Sequence, residues 1–191
     1  MEFTSLDVAD AWLATSKLHV DNRGNFREWF KRSEILDKTN INFVVEQSNV
    51  SLSNRGVLRG IHYSLAEGGQ AKWVTCTTGH IIDFVVDIRP NSPTFKKYVA
   101  IDLKEGDGRS IFIGPGLGHA FLSIQDGSTV SYLLSSGYSP EMEFEINPMD
   151  SELAINWHLE LIGGSALILS PKDAGAPTLS QRITEGRLPK K

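Results

Sequence analysis

The feature that most constrains the fold of this chain is a series of short segments in which apolar and polar residues alternate. The clearest segment places large apolar side chains at every second position: Ile82, Phe84, Val86 and Ile88. A period of two residues is typical of a β-strand, because successive side chains point to opposite faces. We therefore predict a strand with one buried face, and with Asp83, Val85 and Asp87 on the other face.

Similar segments recur along most of the chain and predict further strands. They cover residues 43–50, 57–63, 73–77, 99–103, 110–113, 120–124, 130–135 and 166–169. Glycine-containing turn signals such as Thr78-Gly79 and Asp126-Gly127 separate many of them. Helical signals are weak: we expect single turns at Ser33–Asp37, with its first residue as the cap, and at Asp150–Leu153. Many short strands with regular turns predict an all-β jelly roll with short peripheral helices.

Length and composition limit the other possibilities. The 191 residues, 40% of them hydrophobic, can form one sizeable core, so we expect a single domain at 1–180 and a polar tail at 181–191. A net charge of -4 argues against a general nucleic-acid-binding protein. The sequence start lacks a signal-peptide pattern, and no apolar stretch approaches the roughly 20 residues of a membrane helix. We therefore expect a cytoplasmic protein with no membrane partner.

A histidine, an arginine and a lysine in neighbouring predicted strands are the first candidates for chemistry. Arg59 and His62 lie in the segment 56–63, and Lys72 follows shortly afterwards. Imidazole moves protons near neutral pH, arginine suits phosphate, and lysine can stabilise an oxyanion. Together they indicate proton abstraction next to a carbonyl on a phosphorylated substrate, but a buried strand with local hydrogen bonds explains the same spacing. Residue 64 is Ser, so a His-x-His metal pair is missing and no metal site is expected.

Three further polar residues are candidates, because a jelly roll can hold a ligand between its sheets. His119 follows the glycine-rich segment 114–118, and Tyr132 lies on the predicted inner face of its strand. Asp173 lies in a predicted loop, where an exposed carboxylate is the ordinary expectation. His119 also fits a β-bulge with a hydrogen-bonded core histidine, and Tyr132 also fits simple core packing.

Taken in order, segments from nearly the whole chain resemble the dTDP-4-dehydrorhamnose 3,5-epimerase family. The matching segments are 21–30, 47–51, 56–63, 70–72, 83–89, 92–95, 118–121, 138–140 and 169–173, together with Tyr132. The resemblance implies a cupin-like jelly roll (a double-stranded β-helix). It also implies a metal-free isomerase that epimerises a dTDP-4-keto-6-deoxyhexose at C3 and C5. No cofactor is implied, and the sequence contains no Gly-x-Gly-x-x-Gly fingerprint for a nucleotide cofactor.

Four residues have catalytic roles by this resemblance. His62 is implied as the general base that removes a proton next to the C4 ketone. Asp173 is implied to fix the tautomer of His62 and to support its charged form. Lys72 is implied to stabilise the enolate oxygen. Tyr132 is implied to return a proton to the opposite face of the sugar, which inverts the carbon.

Other residues are implied to bind the substrate. Arg23 and Arg59 match pyrophosphate contacts, since guanidinium geometry suits phosphate oxygens. Further matches address the nucleotide or the sugar: Phe26, Glu28, Gln47, Asn49, His119, Tyr138, Glu143 and Lys172. The resemblance also implies a homodimer in which the segment 23–28 reaches the site of the second copy.

Departures from the family pattern leave the exact reaction open. Tyr63-Ser64 follows the histidine where family members often have Tyr-Gln, and Leu133 follows Tyr132 where the common form has Lys. The alternatives are an epimerase that inverts only C3 or only C5, and a sugar-nucleotide-binding jelly roll without catalysis. The sequence identifies neither the hexose nor the pathway.

Overall fold

The computed structural model describes residues 1–190, and short β-strands dominate it. The strands are β1 (Glu2–Ser5), β2 (Ala11–Thr15), β3 (His19–Asp21), β4 (Gly24–Phe26), β5 (Gln47–Ser53), β6 (Leu58–Ser64), β7 (Lys72–Thr78), β8 (His80–Val86), β9 (Tyr98–Lys104), β10 (Arg109–Ile113), β11 (Gly118–Ser123), β12 (Ser128–Leu134) and β13 (Glu143–Glu145). The helices are α1 (Arg32–Thr39), α2 (Pro171–Ala174) and α3 (Leu179–Thr184), with a 3-10 helix at Leu159–Ile162. In residues 1–190, none of the helices has the length and apolar character needed to cross a membrane.

Two antiparallel sheets form the jelly roll. The six-stranded sheet has the order β1-β2-β10-β7-β12-β5, and the five-stranded sheet has the order β13-β6-β11-β8-β9. Most neighbouring strands are distant in the sequence, as expected when a chain passes back and forth between two sheets. A two-stranded hairpin, β3-β4, lies outside both sheets. The predicted all-β jelly roll with short peripheral helices is confirmed.

The apolar core has three parts. An inner cluster lies between the sheets and includes Val74 and Val130 from the six-stranded sheet, with Val85 from the other. An outer cluster covers the five-stranded sheet with side chains from the C-terminal part of the chain: Leu153, Trp157, Ile162, Leu179 and Leu188. A third cluster packs the Ile35 side chain of α1 against Trp73 on the outer face of the six-stranded sheet. Both sheets are therefore covered on both sides near their centres.

Strand β8 is buried on both faces, so the prediction of a single buried face is wrong. Phe84 and Val86 pack in the outer cluster with Trp157, whereas Val85 faces the inner cluster. Asp83 is completely buried on the inner side. The covering segment comes from the far end of the chain, and a local pattern of alternation carries no signal of it.

The predicted polar tail at 181–191 is wrong for its described part. Helix α3 forms the beginning of this segment and starts with a capping box. Leu188 is buried in the outer cluster, and Tyr63 donates a 2.7 Å hydrogen bond to the carbonyl of Arg187. One buried leucine among polar neighbours gives little sequence signal, which explains the error. Lys191 lies outside the described residues.

Strand predictions fail where tertiary contacts decide the conformation. Residues 166–169 form a single bridge, between Val57 and Ile168, instead of a strand. β5 begins at Gln47, so the strand predicted from residue 43 starts too early, and Phe43 is buried in the third cluster. The short strands β1 to β4 and β13 were not predicted, because three to five residues offer too few alternations.

The predicted helical turns also differ from the structure. Helix α1 is longer than expected, and Lys31 rather than Ser33 precedes it, without a side-chain cap. Residues 150–153 form turns and no helix. The burial of Ile35, rather than a capping side chain, holds α1 against the sheet.

Candidate active site

A cavity of about 870 Å³ lies between the two sheets. Strands β5, β7 and β12 line one wall, β6, β11 and β13 line the other, and α2 lies at the edge. Most of the predicted site residues line it: Gln47, Asn49, Arg59, His62, Lys72, His119, Tyr132, Tyr138, Glu143, Lys172 and Asp173. The volume is typical of small-molecule sites.

His62 and Asp173 form a hydrogen-bonded pair at one wall of the cavity. His62 Nε2 lies 2.7 Å from Asp173 Oδ1. Helix α2 positions the carboxylate, and its cap Ser170 accepts a hydrogen bond from the Asp173 N–H. Asp173 is buried in this helix, so the expectation of an exposed loop carboxylate is wrong. Burial alone would raise the pKa of Asp173, but the hydrogen bond and charge of His62 bring it below its usual value. The ionised carboxylate can therefore support a charged imidazole.

Lys72 and Tyr132 project from the opposite wall. They lie on the adjacent strands β7 and β12 and face the cavity. Lys72 is almost completely buried, and burial lowers the pKa of its ammonium group against the opposing charges of Glu143 and Asp83. Tyr132 Oη lies 3.2 Å from Ser51 Oγ. Burial raises the pKa of the Tyr132 phenol, so the hydroxyl is protonated at neutral pH.

A second histidine–carboxylate pair is more buried than the first: His119 lines the cavity, and Asp83 is its completely buried partner. His119 Nε2 lies 2.8 Å from Asp83 Oδ2, and Cα of His119 is directly opposite that of His62 in the β6–β11 ladder. The ring of His119 also meets that of Tyr132 edge to face, with centroids 5.9 Å apart. Burial raises the pKa of Asp83, whereas His119 and Lys72 act in the opposite direction.

The sequence analysis missed Asp83, the buried partner of the cavity residue His119. It was assigned to an exposed strand face, but it is completely buried. Its Oδ1 atom is buried without a hydrogen-bond partner in the described part of the chain. A carboxylate in the middle of an otherwise apolar strand was the available signal, because such a group is rarely buried without a purpose.

The predicted binding residues at the cavity are held by polar contacts. Arg59 Nε donates to Ser53 Oγ, and Arg59 Nη2 donates to the carbonyl of Leu52, both at 3.1 Å. These bonds fix the guanidinium and leave its other N–H groups for an anion. Gln47 Nε2 donates to Asn49 Oδ1 at 2.8 Å.

Three further predicted binding residues line the cavity: Tyr138, Glu143 and Lys172. The backbone N–H of Tyr138 donates a 2.7 Å hydrogen bond to Gln47 Oε1. Lys172 Nζ lies 2.9 Å from a carboxylate oxygen of Glu145. Glu143 Oε1 is buried without a hydrogen-bond partner in residues 1–190. These residues therefore combine a cation with buried acceptors that a polyhydroxylated ligand could satisfy.

Three predicted binding residues lie away from the cavity, on and just after the β3–β4 hairpin. Arg23 pairs with Asp21 within the hairpin, and Phe26 is 67% exposed. Glu28 pairs with Lys31, whose Nζ lies 3.0 Å from the carboxylate. One chain by itself does not bring these side chains to the other site residues, so their binding roles stay predictions.

The arrangement combines a base on one wall with a cation and an acid on the other. A ketone held between the walls could lose a neighbouring proton to His62 while Lys72 stabilises the oxyanion. The Tyr132 hydroxyl could then donate a proton from the opposite side. Within residues 1–190, no three His, Cys, Asp or Glu side chains converge in a way that could hold a metal ion.

Comparisons with known proteins agree with this geometry. The family model described as dTDP-4-dehydrorhamnose 3,5-epimerase matches residues 5–181. A curated dTDP-4-dehydrorhamnose 3,5-epimerase of Mycobacterium tuberculosis is 42% identical over 190 residues, which cover 100% of this chain and 93% of the relative. A solved epimerase structure from Mycobacterium tuberculosis superposes with a TM-score of 0.95 at 42% identity, over 100% of this chain and 94% of the other.

A further solved structure differs in its described specificity. It is a 3'-monoepimerase from Streptomyces bikiniensis in complex with dTDP-quinovose. It superposes with a TM-score of 0.90 at 39% identity, over 97% of this chain and 91% of the other. The similarity therefore extends to proteins described as double epimerases and to one described as a single-centre epimerase.

Proposed function

The chain belongs to the dTDP-4-dehydrorhamnose 3,5-epimerase family, and on that premise we propose that it epimerises a dTDP-4-keto-6-deoxyhexose at C3 and C5. The predicted enzyme class is confirmed: the protein is an isomerase acting on a sugar nucleotide. One observation carries the proposed mechanism. The His62–Asp173 pair faces Lys72 and Tyr132 across a single cavity.

The first step is removal of a proton by His62. The C4 ketone acidifies the hydrogens on both neighbouring carbons, C3 and C5. His62 takes one of these protons, and the ionised Asp173 stabilises the resulting imidazolium through the 2.7 Å hydrogen bond. This pair is the same device that orients and supports a histidine base in other enzymes.

The second step is stabilisation of the enolate and its reprotonation. Lys72 provides a buried positive charge at the position where the C4 oxygen becomes negative. Tyr132 donates its hydroxyl proton to the carbon from the opposite wall, which inverts the centre. The raised pKa of Tyr132 keeps this proton in place before the reaction. His62 then loses its extra proton to water and Tyr132 regains one, so both residues return to their starting protonation states.

Substrate binding is assigned to the charged and polar residues around the cavity. Besides Lys72, the cations that line the cavity are Arg59 and Lys172, and we assign the pyrophosphate to these two. Arg23 and the hairpin that carries it take part if a second copy of the chain presents them to the cavity. A homodimer is therefore part of the proposal, as is a cytoplasmic location.

A single-centre epimerase is the second candidate, because relatives of this chain include proteins described as 3-epimerases. The two residues named above that depart from the family pattern, Ser64 and Leu133, do not line the cavity. Leu133 packs against the third cluster on the outer face of its sheet. Ser64 is buried and accepts a hydrogen bond from the Ala66 N–H. Any influence of these two residues on specificity would therefore act through the strands that they support.

The deciding experiment is incubation of the purified protein with dTDP-4-keto-6-deoxyglucose in deuterium oxide, followed by proton NMR and mass spectrometry. Deuterium at both C3 and C5, with inversion at both centres, is the expected result. Deuterium and inversion at one carbon would establish the single-centre enzyme. Binding of the nucleotide sugar without exchange would contradict an enzymatic role on this substrate.

A further inference from the structure

The proposed mechanism gives no role to Asp83, the buried partner of the cavity residue His119. Its side chain is completely buried on β8, an interior strand of the five-stranded sheet. One carboxylate oxygen contacts His119 Nε2 at 2.8 Å, and the other is buried without a partner in residues 1–190. A buried carboxylate with an unpaired oxygen is destabilising unless nearby positive charge compensates it.

Burial is also unfavourable for the positive charge of Lys72. It is almost completely buried, and burial favours the neutral amine over the ammonium. A neutral amine would lose most of its ability to stabilise an enolate. The charges that oppose this effect are those of Glu143 and Asp83, and they act through space rather than through a hydrogen bond.

We propose that Asp83 is a positioning residue for the epimerisation: one oxygen orients His119, and the carboxylate charge acts with that of Glu143 to keep Lys72 protonated. This inference rests on the proposed role of Lys72 as the cation that stabilises the enolate. Asp83 lies on the same face of β8 as Ile81 and Val85, which belong to the inner cluster between the sheets. Asp83 and Lys72 are both buried, so water screens their attraction less than it would at the surface.

Two carboxylates act on Lys72, and Glu143 has the larger effect. Glu143 lies on the short edge strand β13 and is only partly buried, whereas Asp83 is completely buried. Asp173 is already paired with His62. The remaining titratable or charged groups that line the cavity are Arg59 and His62 on β6, His119 on β11, Tyr132 on β12, Tyr138 after β12, and Lys172 on α2. None of these carries a negative charge at neutral pH in the proposed resting enzyme. Asp83 is therefore the completely buried one of the two anions that act on Lys72.

The test compares Asp83→Asn with wild type in two titrations. The first follows acetylation of Lys72 by acetic anhydride as a function of pH, quantified by mass spectrometry, and needs no substrate. The second follows kcat for epimerisation across the same pH range. Asparagine keeps a polar contact for His119 but removes the negative charge. The ammonium of Lys72 is then less stable, so its titration and the alkaline limb of kcat both move to lower pH, by about one unit.

A matched control is Asp102→Asn. Asp102 is also a histidine-paired carboxylate, 3.2 Å from His80 Nε2, and it lies on the neighbouring strand β9 outside the cavity. Its replacement leaves the Lys72 titration and the pH profile unchanged. A purely structural role of Asp83 would lower activity at all pH values and would not move the midpoint.

Each outcome decides the inference. An unchanged Lys72 titration in folded Asp83→Asn overturns it, and so does failure of both Asp83→Asn and the second variant, Asp83→Ser, to fold. A shift in the Lys72 titration together with an inactive wild type on dTDP-4-keto-6-deoxyglucose would support the charge pairing and reject the proposed function. Failure of the inference about Asp83 and failure of the proposed epimerase function are therefore distinguishable.

Discussion

The cavity and the β3–β4 hairpin both contain predicted site residues, but the structure organises them differently. The proposed catalytic residues His62 and Lys72 line the cavity and lie on strands of the two facing sheets. Arg23 and Phe26 lie on an exposed hairpin, and the ion pair of Arg23 is with a neighbour two residues away, Asp21. The cavity is formed by residues of a single chain. The exposed side chains of the hairpin have no evident function within that chain.

This difference shows which interactions position the side chains of the cavity and those of the hairpin. The cavity residues have buried partners in the same chain, so folding alone places them. The hairpin exposes Val20 at 74% and Phe26 at 67% of their surface, which is unfavourable for an isolated chain and typical of an interaction surface. We infer that the cavity is organised before any partner binds, whereas the hairpin gains its function from a second copy. Four substitutions test this contrast.

The largest effect is expected for His62→Ala. Loss of the base removes both proton abstraction and the partner of Asp173, so kcat should fall at least about a hundredfold. Turnover measured by NMR with dTDP-4-keto-6-deoxyglucose checks this. His80→Ala is the control, because His80 is also paired with a carboxylate but lies outside the cavity. Near-normal turnover in His62→Ala would reject the cavity as the catalytic site.

Tyr132→Phe should separate two events that His62→Ala abolishes together. Without the phenol proton, inversion should fall about a hundredfold, while deuterium uptake into unchanged substrate continues because His62 and Lys72 are intact. Proton NMR in deuterium oxide reports both events. Tyr98→Phe is the control, since its hydroxyl contacts the Asn156 backbone away from the cavity. Equal loss of exchange and inversion would mean that Tyr132 is not the opposite-face acid.

Arg59→Ala should affect binding more than chemistry. Removal of the guanidinium takes away a phosphate contact, so KM should rise about tenfold while kcat stays within about twofold. Calorimetric titration with dTDP checks the same loss without turnover. Arg55→Ala, an exposed arginine that does not line the cavity, serves as the control. Unchanged dTDP affinity would show that the pyrophosphate lies elsewhere.

The sequence predicts which residues line the cavity better than it predicts which of the groups around it are buried. Alternation places Tyr132 on an inner strand face, and the family resemblance supplies the partnership of His62 with Asp173. Neither indicates that Asp173 is buried in a helix, because residues far apart in the chain produce that burial. Asp83 was missed for the same reason: its strand is covered on the outside by the C-terminal segment, and alternation cannot report a cover from a distant part of the chain.

Arg23→Ala should have the smallest effect and the one that depends most on assembly. Its salt bridge with Asp21 is exposed, so the variant should unfold at the same temperature as wild type. If a second copy presents Arg23 to the cavity, KM should rise about threefold with kcat unchanged, as expected for one exposed phosphate contact.

Analytical ultracentrifugation should show a dimer in both proteins. Dilution below the dimer dissociation constant should raise the KM of wild type toward that of the variant, because the cavity then loses the hairpin of its neighbour. A wild-type KM that does not change on dilution, in a protein that does dissociate, would mean that the cavity of one chain binds the substrate alone and that the hairpin only joins the copies.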